Sequence, residues 1–395
     1  MKVFAYQLPS GENATYVDKK RYLWPLSIAL PLLPMICAAA FLETGTEWVL
    51  WIPLFFLYGM VPALDWLLGE DESNPPETLV PELESDPYYR VLTYIAVPLH
   101  CIALVAGVWM VAAHDLSWSS VLAVTLSTGL LSGLAINTAH ELGHKNTTLE
   151  ANLAKIVLAI PVYGHFTVEH NAGHHSQVAT PEDCASARFG ESIYGFALRE
   201  IPGAFRRPLQ LEARRLQRLG HSAWNWRNQI LQSYALSVVL YGSLVAVFGL
   251  AMLPFMVVQA AFGWWQLTSA NYIEHYGLLR MKKENGHYER CQPHHSWNAN
   301  HIFSNLILFH LERHSDHHAY ANRRYQSLRH FNKLPTLPSG YFGMYLLAYF
   351  PPLWRRVMDQ RLLAQVGGDL SKVNMDPGTK PRVTRRSHPT QPRSA

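Results

Sequence analysis

Lys19-Lys20-Arg21-Tyr22-Leu23-Trp24-Pro25-Leu26-Ser27-Ile28-Ala29-Leu30-Pro31-Leu32-Leu33-Pro34-Met35-Ile36-Cys37-Ala38-Ala39-Ala40-Phe41 opens on three cations and then carries no further charge. A helix needs about 20 apolar residues to cross the hydrocarbon core of a bilayer, and residues 22–41 supply such a run. A basic flank before an apolar run also opens a signal peptide. This run, however, is long, holds Pro25, Pro31 and Pro34, and is followed after the short 43–47 turn by a second apolar run over 48–68. The two read as a hairpin of membrane spans. Residues 91–113 and 119–138 repeat the pattern around His114-Asp115, and 230–250 and 254–272 repeat it once more. Six spans fit the chain.

The cations set the orientation. Lys and Arg are absent from residues 22–89, 91–144 and 228–279. Positive charge stays on the cytoplasmic side, so Lys19-Lys20-Arg21 predicts a cytoplasmic N-terminus, and six crossings return the C-terminus to that side. The three external bends then contain no Lys or Arg. The expected fold class is an all-α integral membrane protein: a cytoplasmic N-terminal segment over 1–21, a six-helix membrane domain with a cytoplasmic histidine-rich cap over 22–375, and a disordered basic tail or linker over 376–395. An inner-membrane, multi-pass location follows. Hydrophobic residues make up 49% of the 395 and charged residues 16%, against about 25% charged in an average soluble domain. A net charge of +4 without a basic, aromatic-interleaved patch gives no sign of nucleic-acid binding. Cys37, Cys101, Cys184 and Cys291 form no C-x-x-C pair, which argues against thiolate zinc or an iron–sulfur centre. A metal here is held by nitrogen and oxygen.

Other stretches carry weaker signals. Residues 69–90 read as an acidic, solvated connector. Residues 153–162 are apolar but too short to cross and read as a re-entrant or interfacial helix. Residues 176–228 are polar and partly helical, with Arg206-Arg207 and Arg214-Arg215 suited to an anionic membrane surface. Residues 341–354 are aromatic-rich and precede Arg355-Arg356, the composition of a helix lying in the interface. The tail over 376–395 is rich in Pro, Arg, Ser and Thr and has linker composition. No inverted repeat suggests a transporter.

Histidines dominate the predicted cytoplasmic ends of the spans. His140 and His144 lie four apart where the fourth span emerges, so on a helix they share one face. His170 and His174 repeat that spacing, and His175 follows directly. His314, His317 and His318 occupy i, i+3 and i+4 positions, and His275 ends the sixth span beside Glu274. Single pairs of this kind are often incidental; three clusters and a ninth histidine on one predicted membrane face are not. Nine imidazoles suit two ions with roughly four or five ligands each, and imidazole accommodates zinc, copper, iron and nickel alike. Glu141, Glu169, Glu274, Glu312 and Asp316 are candidates for orienting ring N–H groups from behind. His165, His294, His295, His301 and His310 are further candidates for that outer layer.

The blocks His140-Glu141-Leu142-Gly143-His144-Lys145, Glu169-His170-Asn171-Ala172-Gly173-His174-His175, Asn271-Tyr272-Ile273-Glu274-His275-Tyr276-Gly277, His295-Ser296-Trp297-Asn298 and Arg313-His314-Ser315-Asp316-His317-His318-Ala319 resemble those of the membrane-bound alkane 1-monooxygenases. These belong to the histidine-rich class of integral-membrane desaturases and hydroxylases. The resemblance runs over about residues 16–370, and Glu312 stands where many relatives have Gln. It implies two non-haem iron ions, O2 as co-substrate, no haem and no flavin in this chain, and hydroxylation of the terminal methyl of medium-chain n-alkanes to 1-alkanols. It also implies electrons from rubredoxin and an NAD(P)H-dependent rubredoxin reductase, either separate or fused beyond the C-terminal tail.

The physical logic is consistent with that chemistry. Cleaving a strong C–H bond requires activated oxygen, two electrons and exclusion of water. Alkanes partition into membrane lipid, so a site at the span ends takes substrate from the bilayer and electrons from the aqueous side. The second span is a candidate channel wall, with Phe56 and Leu57 as its candidate substrate contacts and Leu57 as a limit on chain length. Two further reactions within the class are fatty-acid desaturation and aryl-methyl hydroxylation. From outside it, His140-Glu141-Leu142-Gly143-His144 matches the zincin signature of an intramembrane metalloprotease, with Glu141 as general base. A zinc protease needs one more ligand and leaves the histidines from His170 to His318 unexplained. A metal carrier places its ligands near the bilayer midplane, not at one face.

Overall fold

The computed structural model describes residues 2–8 and 10–379. Six of its helices are long and apolar enough to cross a membrane: Leu26–Thr44, Glu47–Leu68, Pro87–Ala113, Trp118–Gly143, Gln229–Phe248 and Leu250–His275. The first begins at Leu26, not Tyr22, because residues 20–24 close a turn, with Leu23 N–H donating to Lys20 O at 2.8 Å and Trp24 buried beneath the cap. Prolines shape the first two spans, which pass through a 3₁₀ turn at Leu30–Leu32 and a π turn at Phe56–Met60.

The fourth and sixth spans form the centre of the bundle. Small residues let their backbones approach closely, as helices in lipid require. A Cβ on Gly133 would lie 2.6 Å from the Gln266 Cβ, and one on Gly263 would lie 2.8 Å from the Ser132 Cβ. This close pairing sets the C-terminal ends of the two helices, with His140 and His275, side by side. Asp65 of the second span is buried and accepts from Ser304 N–H at 2.9 Å, tying the cap to the bundle.

Three expectations change. The chain is mostly, not wholly, helical: β1 (Lys2–Gln7) and β2 (Asn13–Asp18) pair antiparallel, with Phe4 opposite Tyr16. Alternation in Lys2-Val3-Phe4-Ala5 turns Phe4 inward, and Gly11 supplies the positive φ of the connecting turn. The 69–90 segment is not a solvated connector, because its partners lie more than 200 residues away. Arg313 donates to Asp71 O at 2.6 Å and Ser73 O at 3.1 Å, Arg323 pairs with Glu77 at 2.6 Å, and Leu79 and Leu83 are buried. The helix Tyr341–Ala348 is not a surface element: Tyr341, Met344 and Ala348 are fully buried, and Phe342 and Tyr345 line the central cavity. The short apolar stretch 153–162 overlaps the helix Thr148–Leu158, which is capped by Thr147 and packs on the fourth span through Ala154, Val157 and Leu158. Most of the expected tail, residues 380–395, lies outside the described residues.

Between the fourth and fifth spans runs the helix Ile193–Arg218, which holds the segment 169–184 against the end of the bundle. Its Arg207 turns inward to Glu169 and Asp183, whereas Arg206 and Arg214 are exposed.

Candidate metal centre

Four separate elements deliver the nine histidines to one place. His140 sits in the last turn of the fourth span and His144 caps it; His275 ends the sixth; His314, His317 and His318 share the short helix His314–Ala319. The remaining three lie on a π turn, Glu169–His174, closed by His175 N–H on His170 O. An α-helix would direct His170 and His174 to one side and His175 away. The wider i to i+5 winding also aligns His170 with His175, whose Nε2 atoms stand 3.0 Å apart.

The rings form two sets. Ligand atoms of His140, His144, His170 and His317 all lie within 4.8 Å of one another, and so do those of His174, His275, His314 and His318. His175 joins the first set through its Nε2, 3.2 Å from the His317 Nε2, and stacks on His318 at 4.3 Å between ring centroids. In the second set the His314 Nε2 lies 2.9 Å from the His318 Nε2 and 3.2 Å from the His275 Nε2. Eight of the nine side chains are buried and His175 is half-buried.

Lone pairs pointed at each other at such distances repel unless a cation lies between them. The hydrogen bonds behind the rings show that lone pairs do face inward. His275 donates its Nδ1–H to His295 O at 3.0 Å, and His174 donates its Nδ1–H to Asp183 Oδ2 at 2.9 Å, which leaves both Nε2 atoms free. The buried Nε2 atoms of His140, His144 and His174 have no hydrogen-bond partner. Burial, reinforced by neighbouring imidazoles, holds His144, His170, His175, His314, His317 and His318 well below the ordinary histidine range, which favours the neutral rings a metal ion requires. The donor set therefore fits two divalent ions of borderline softness.

The carboxylates sort differently from expectation. Glu141 pairs with Lys145 at 3.1 Å and accepts from Tyr325 N–H at 3.4 Å, which directs it away from the imidazoles and from any zincin role. Glu169 is bound by Arg207, Asp316 by Arg329 at 2.7 Å, and Glu312 accepts from Tyr341 N–H at 2.7 Å. Only Glu274 reaches the centre, with its Oε2 3.3 Å from the His314 Nε2. The residue that orients a ring, Asp183, carries no motif; it is held by Arg207 at 2.9 Å and by the Ser186 hydroxyl at 2.7 Å. Burial opposes its ionisation, yet His174 and Arg207 prevail and hold it well below the usual carboxylate range. Of the outer histidines, His295 contributes its carbonyl, not its ring. His165 bonds Tyr234 OH at 2.6 Å and His310 bonds Tyr325 O at 2.8 Å, both away from the centre.

An apolar cavity opens from this centre into the span bundle. His140, His170, His314, Glu274 and Asn271 form one end, and Leu57, Leu130 and Leu134 line the remainder with Phe342. Leu130 lies ten residues before His140 on one helix, so the cavity reaches roughly 15 Å from the imidazoles at 1.5 Å per residue. Leu57 projects into it from the π turn of the second span, whereas Phe56 is not among its lining residues and packs edge-on against Phe303.

Comparison with known proteins agrees with this arrangement. Residues 116–351 match the fatty acid desaturase family model. The chain is 55% identical to alkane 1-monooxygenase 1 of Alcanivorax borkumensis over 372 residues, covering 94% of this chain and 92% of that protein. It is 56% identical to the alkane 1-monooxygenase of Ectopseudomonas oleovorans over 363 residues, 91% and 90% of the two chains. The xylene/toluene monooxygenase hydroxylase component of Pseudomonas putida is more distant, at 29% over 233 residues, 58% and 61%. With its six spans, its nine gathered imidazoles and these relatives, the chain belongs to the alkane 1-monooxygenase family.

Proposed function

We propose that this protein hydroxylates the terminal methyl group of medium-chain n-alkanes at a centre of two iron ions, one held by His140, His144, His170, His175 and His317, the other by His174, His275, His314 and His318. The reaction balances as R–CH3 + O2 + 2 e⁻ + 2 H⁺ → R–CH2OH + H2O, with the electrons supplied by rubredoxin and its NAD(P)H-dependent reductase. The observation that carries this reading is the apolar cavity that ends on both sets of imidazoles. The orientation that accompanies it places both termini and the centre on the cytoplasmic side of the inner membrane, in a single membrane domain over residues 22–375.

When bound, the irons supply the activation of O2. The chain's own residues do the rest. Leu130, Leu134 and Phe342 hold the alkane extended along the fourth span and exclude water, so that only a chain end reaches the imidazoles. Asn271 donates to Glu200 Oε1 at 3.2 Å, which fixes its amide at the cavity's reactive end beside Glu274.

The test is formation of 1-octanol from octane by the purified, iron-loaded protein with rubredoxin, reductase and NADH. In the same assay Leu57→Trp fills the cavity wall and shifts preference toward shorter alkanes. Overpacking of about 1–3 kcal/mol corresponds to roughly 5- to 150-fold in relative kcat/KM between octane and a shorter chain. Absence of 1-octanol counts against the function; an unchanged chain-length profile counts against the role of Leu57.

A further inference from the structure

Glu200 is a buried carboxyl with which no cation pairs. It lies on the helix Ile193–Arg218 and is fully buried. Glu169, Asp183, Glu212 and Asp316 are buried too, but each pairs with an arginine. Arg199, the residue before Glu200, is turned to Glu191 at 2.8 Å, and Glu200 has no ion pair among the described residues. Its two hydrogen bonds come from the sixth span: Thr268 OH donates to Oε2 at 2.8 Å, and Asn271 Nδ2 donates to Oε1 at 3.2 Å. Burying a carboxylate without a cation is costly, and taking up a proton removes the cost. Burial pushes the Glu200 carboxyl up to about 7; Thr268 and Asn271 oppose the rise, Glu169 adds to it and Arg199 lowers it. Tyr163 and Cys184, from the segment before the helix, face it as well.

Asn271 touches both this carboxyl and the cavity's reactive end, which it shares with His140, His170, His314 and Glu274. An ionised Glu200 accepts from both neighbours, so the Asn271 amide gives its N–H to Glu200 and leaves Oδ1 for the cavity. A protonated Glu200 has one strong acceptor and one donor. The buried Thr268 hydroxyl has no other acceptor at hydrogen-bond distance among the described residues, and so it keeps the carbonyl oxygen. The O–H is then left for Asn271, whose amide presents Oδ1 to it and turns the Nδ2 hydrogens toward the reactive end. The electrons of the reaction bring negative charge to that end, which a fixed N–H stabilises and a carbonyl oxygen opposes.

We propose that Glu200 is a positioning residue for the hydroxylation: acting through Asn271, it presents an N–H donor to the reactive end when its carboxyl carries a proton and a carbonyl oxygen when it does not. This role rests on the hydroxylase reading, since a reaction that takes up electrons at that end is what benefits from the donor. The rate therefore falls as the pH rises and Glu200 ionises. Glu200→Gln copies the protonated state, because its carbonyl takes the Thr268 hydroxyl and its own N–H takes Asn271 Oδ1.

The experiment measures kcat for 1-octanol formation by the iron-loaded protein in nanodiscs, with rubredoxin and reductase in excess, from about pH 6 to about pH 8. Infrared difference spectra are taken on the same samples. A carboxyl titrating at about 7 loses most of its proton over this interval, so the parental kcat falls by about tenfold. Glu200→Gln keeps at about pH 8 the rate that the parent has at about pH 6, and Asn271→Ala is slower and loses the fall. Bound iron stays unchanged in both variants as the check on folding, and Glu274, which shares the reactive end, is intact in every sample. The infrared band of a neutral carboxyl grows as the pH falls through about 7 in the parent and is missing from Glu200→Gln. A Glu200→Gln profile as steep as the parent's overturns the proposal, as does a parental fall that survives in Asn271→Ala. A Glu200→Gln variant that is slow at every pH overturns it in favour of direct proton donation by Glu200. The band is read without turnover, so a parent that shows it yet makes no 1-octanol faults the hydroxylase reading and leaves the proton state of Glu200 supported.

Discussion

Replacing His317 with alanine is expected to abolish alkane hydroxylation and to bring bound iron below two per chain. His317 belongs to the set with His140, His144 and His170, and its Nε2 also stands 3.2 Å from that of His175. It shares a single short helix with His314 and His318, which belong to the other set. Loss of the ring therefore removes a ligand from one ion and loosens the element that presents ligands to the second. Outer hydrogen-bond partners of metal ligands are worth about 10–100-fold, so loss of a ligand itself should exceed about 100-fold in kcat. Metal analysis with the octane assay checks it. A zinc protease built on His140, Glu141 and His144 would keep its metal and its activity without His317; a variant retaining both would contradict the two-ion centre.

The second large effect is expected at Asp183. Asp183→Ala removes the acceptor that fixes the His174 ring and one of the two carboxylates that partner Arg207. Loss of the orienting carboxylate lowers iron affinity at the second set by about 10–100-fold, read as iron lost to a chelator during dialysis. Asp183→Asn keeps an acceptor for the His174 Nδ1–H without the charge, and its loss falls between parent and alanine variant. An Asp183→Ala protein that holds iron as tightly as the parent would show that His174 does not need this partner.

These two residues mark what is legible in the chain and what is not. His317 is visible at once, because helical spacing from His314 and repetition of similar clusters make chance a poor explanation. The spans are equally visible, since crossing a bilayer imposes a length and a composition on every segment that does it. Asp183 is hidden: it bonds His174 directly across nine residues while Arg207 and Ser186 hold it in place, and no local pattern records that pairing. Glu141, Glu169 and Asp316, each next to or near a histidine in sequence, are drawn off by Lys145, Arg207 and Arg329. Sequence adjacency to a histidine predicted orienting partners; pairing with cations, one of them four residues away and two further along the chain, decided which carboxylates were free to act. The convergence of His175 with His170 depends on a π turn, which helical periodicity of 3.6 residues cannot anticipate. The burial of Phe342 and Tyr345 likewise follows from packing against the cavity, whereas an aromatic-rich composition alone points to the membrane surface.

On the proposed function, nine imidazoles from four elements hold two irons at the mouth of an apolar cavity. The most direct test is the metal content of the purified protein in nanodiscs, by elemental analysis with Mössbauer spectroscopy on iron-57-enriched material. Two irons per chain are expected, both lost or perturbed when either histidine set is altered. A single zinc ion per chain, unchanged by loss of His275 or His318, would contradict it.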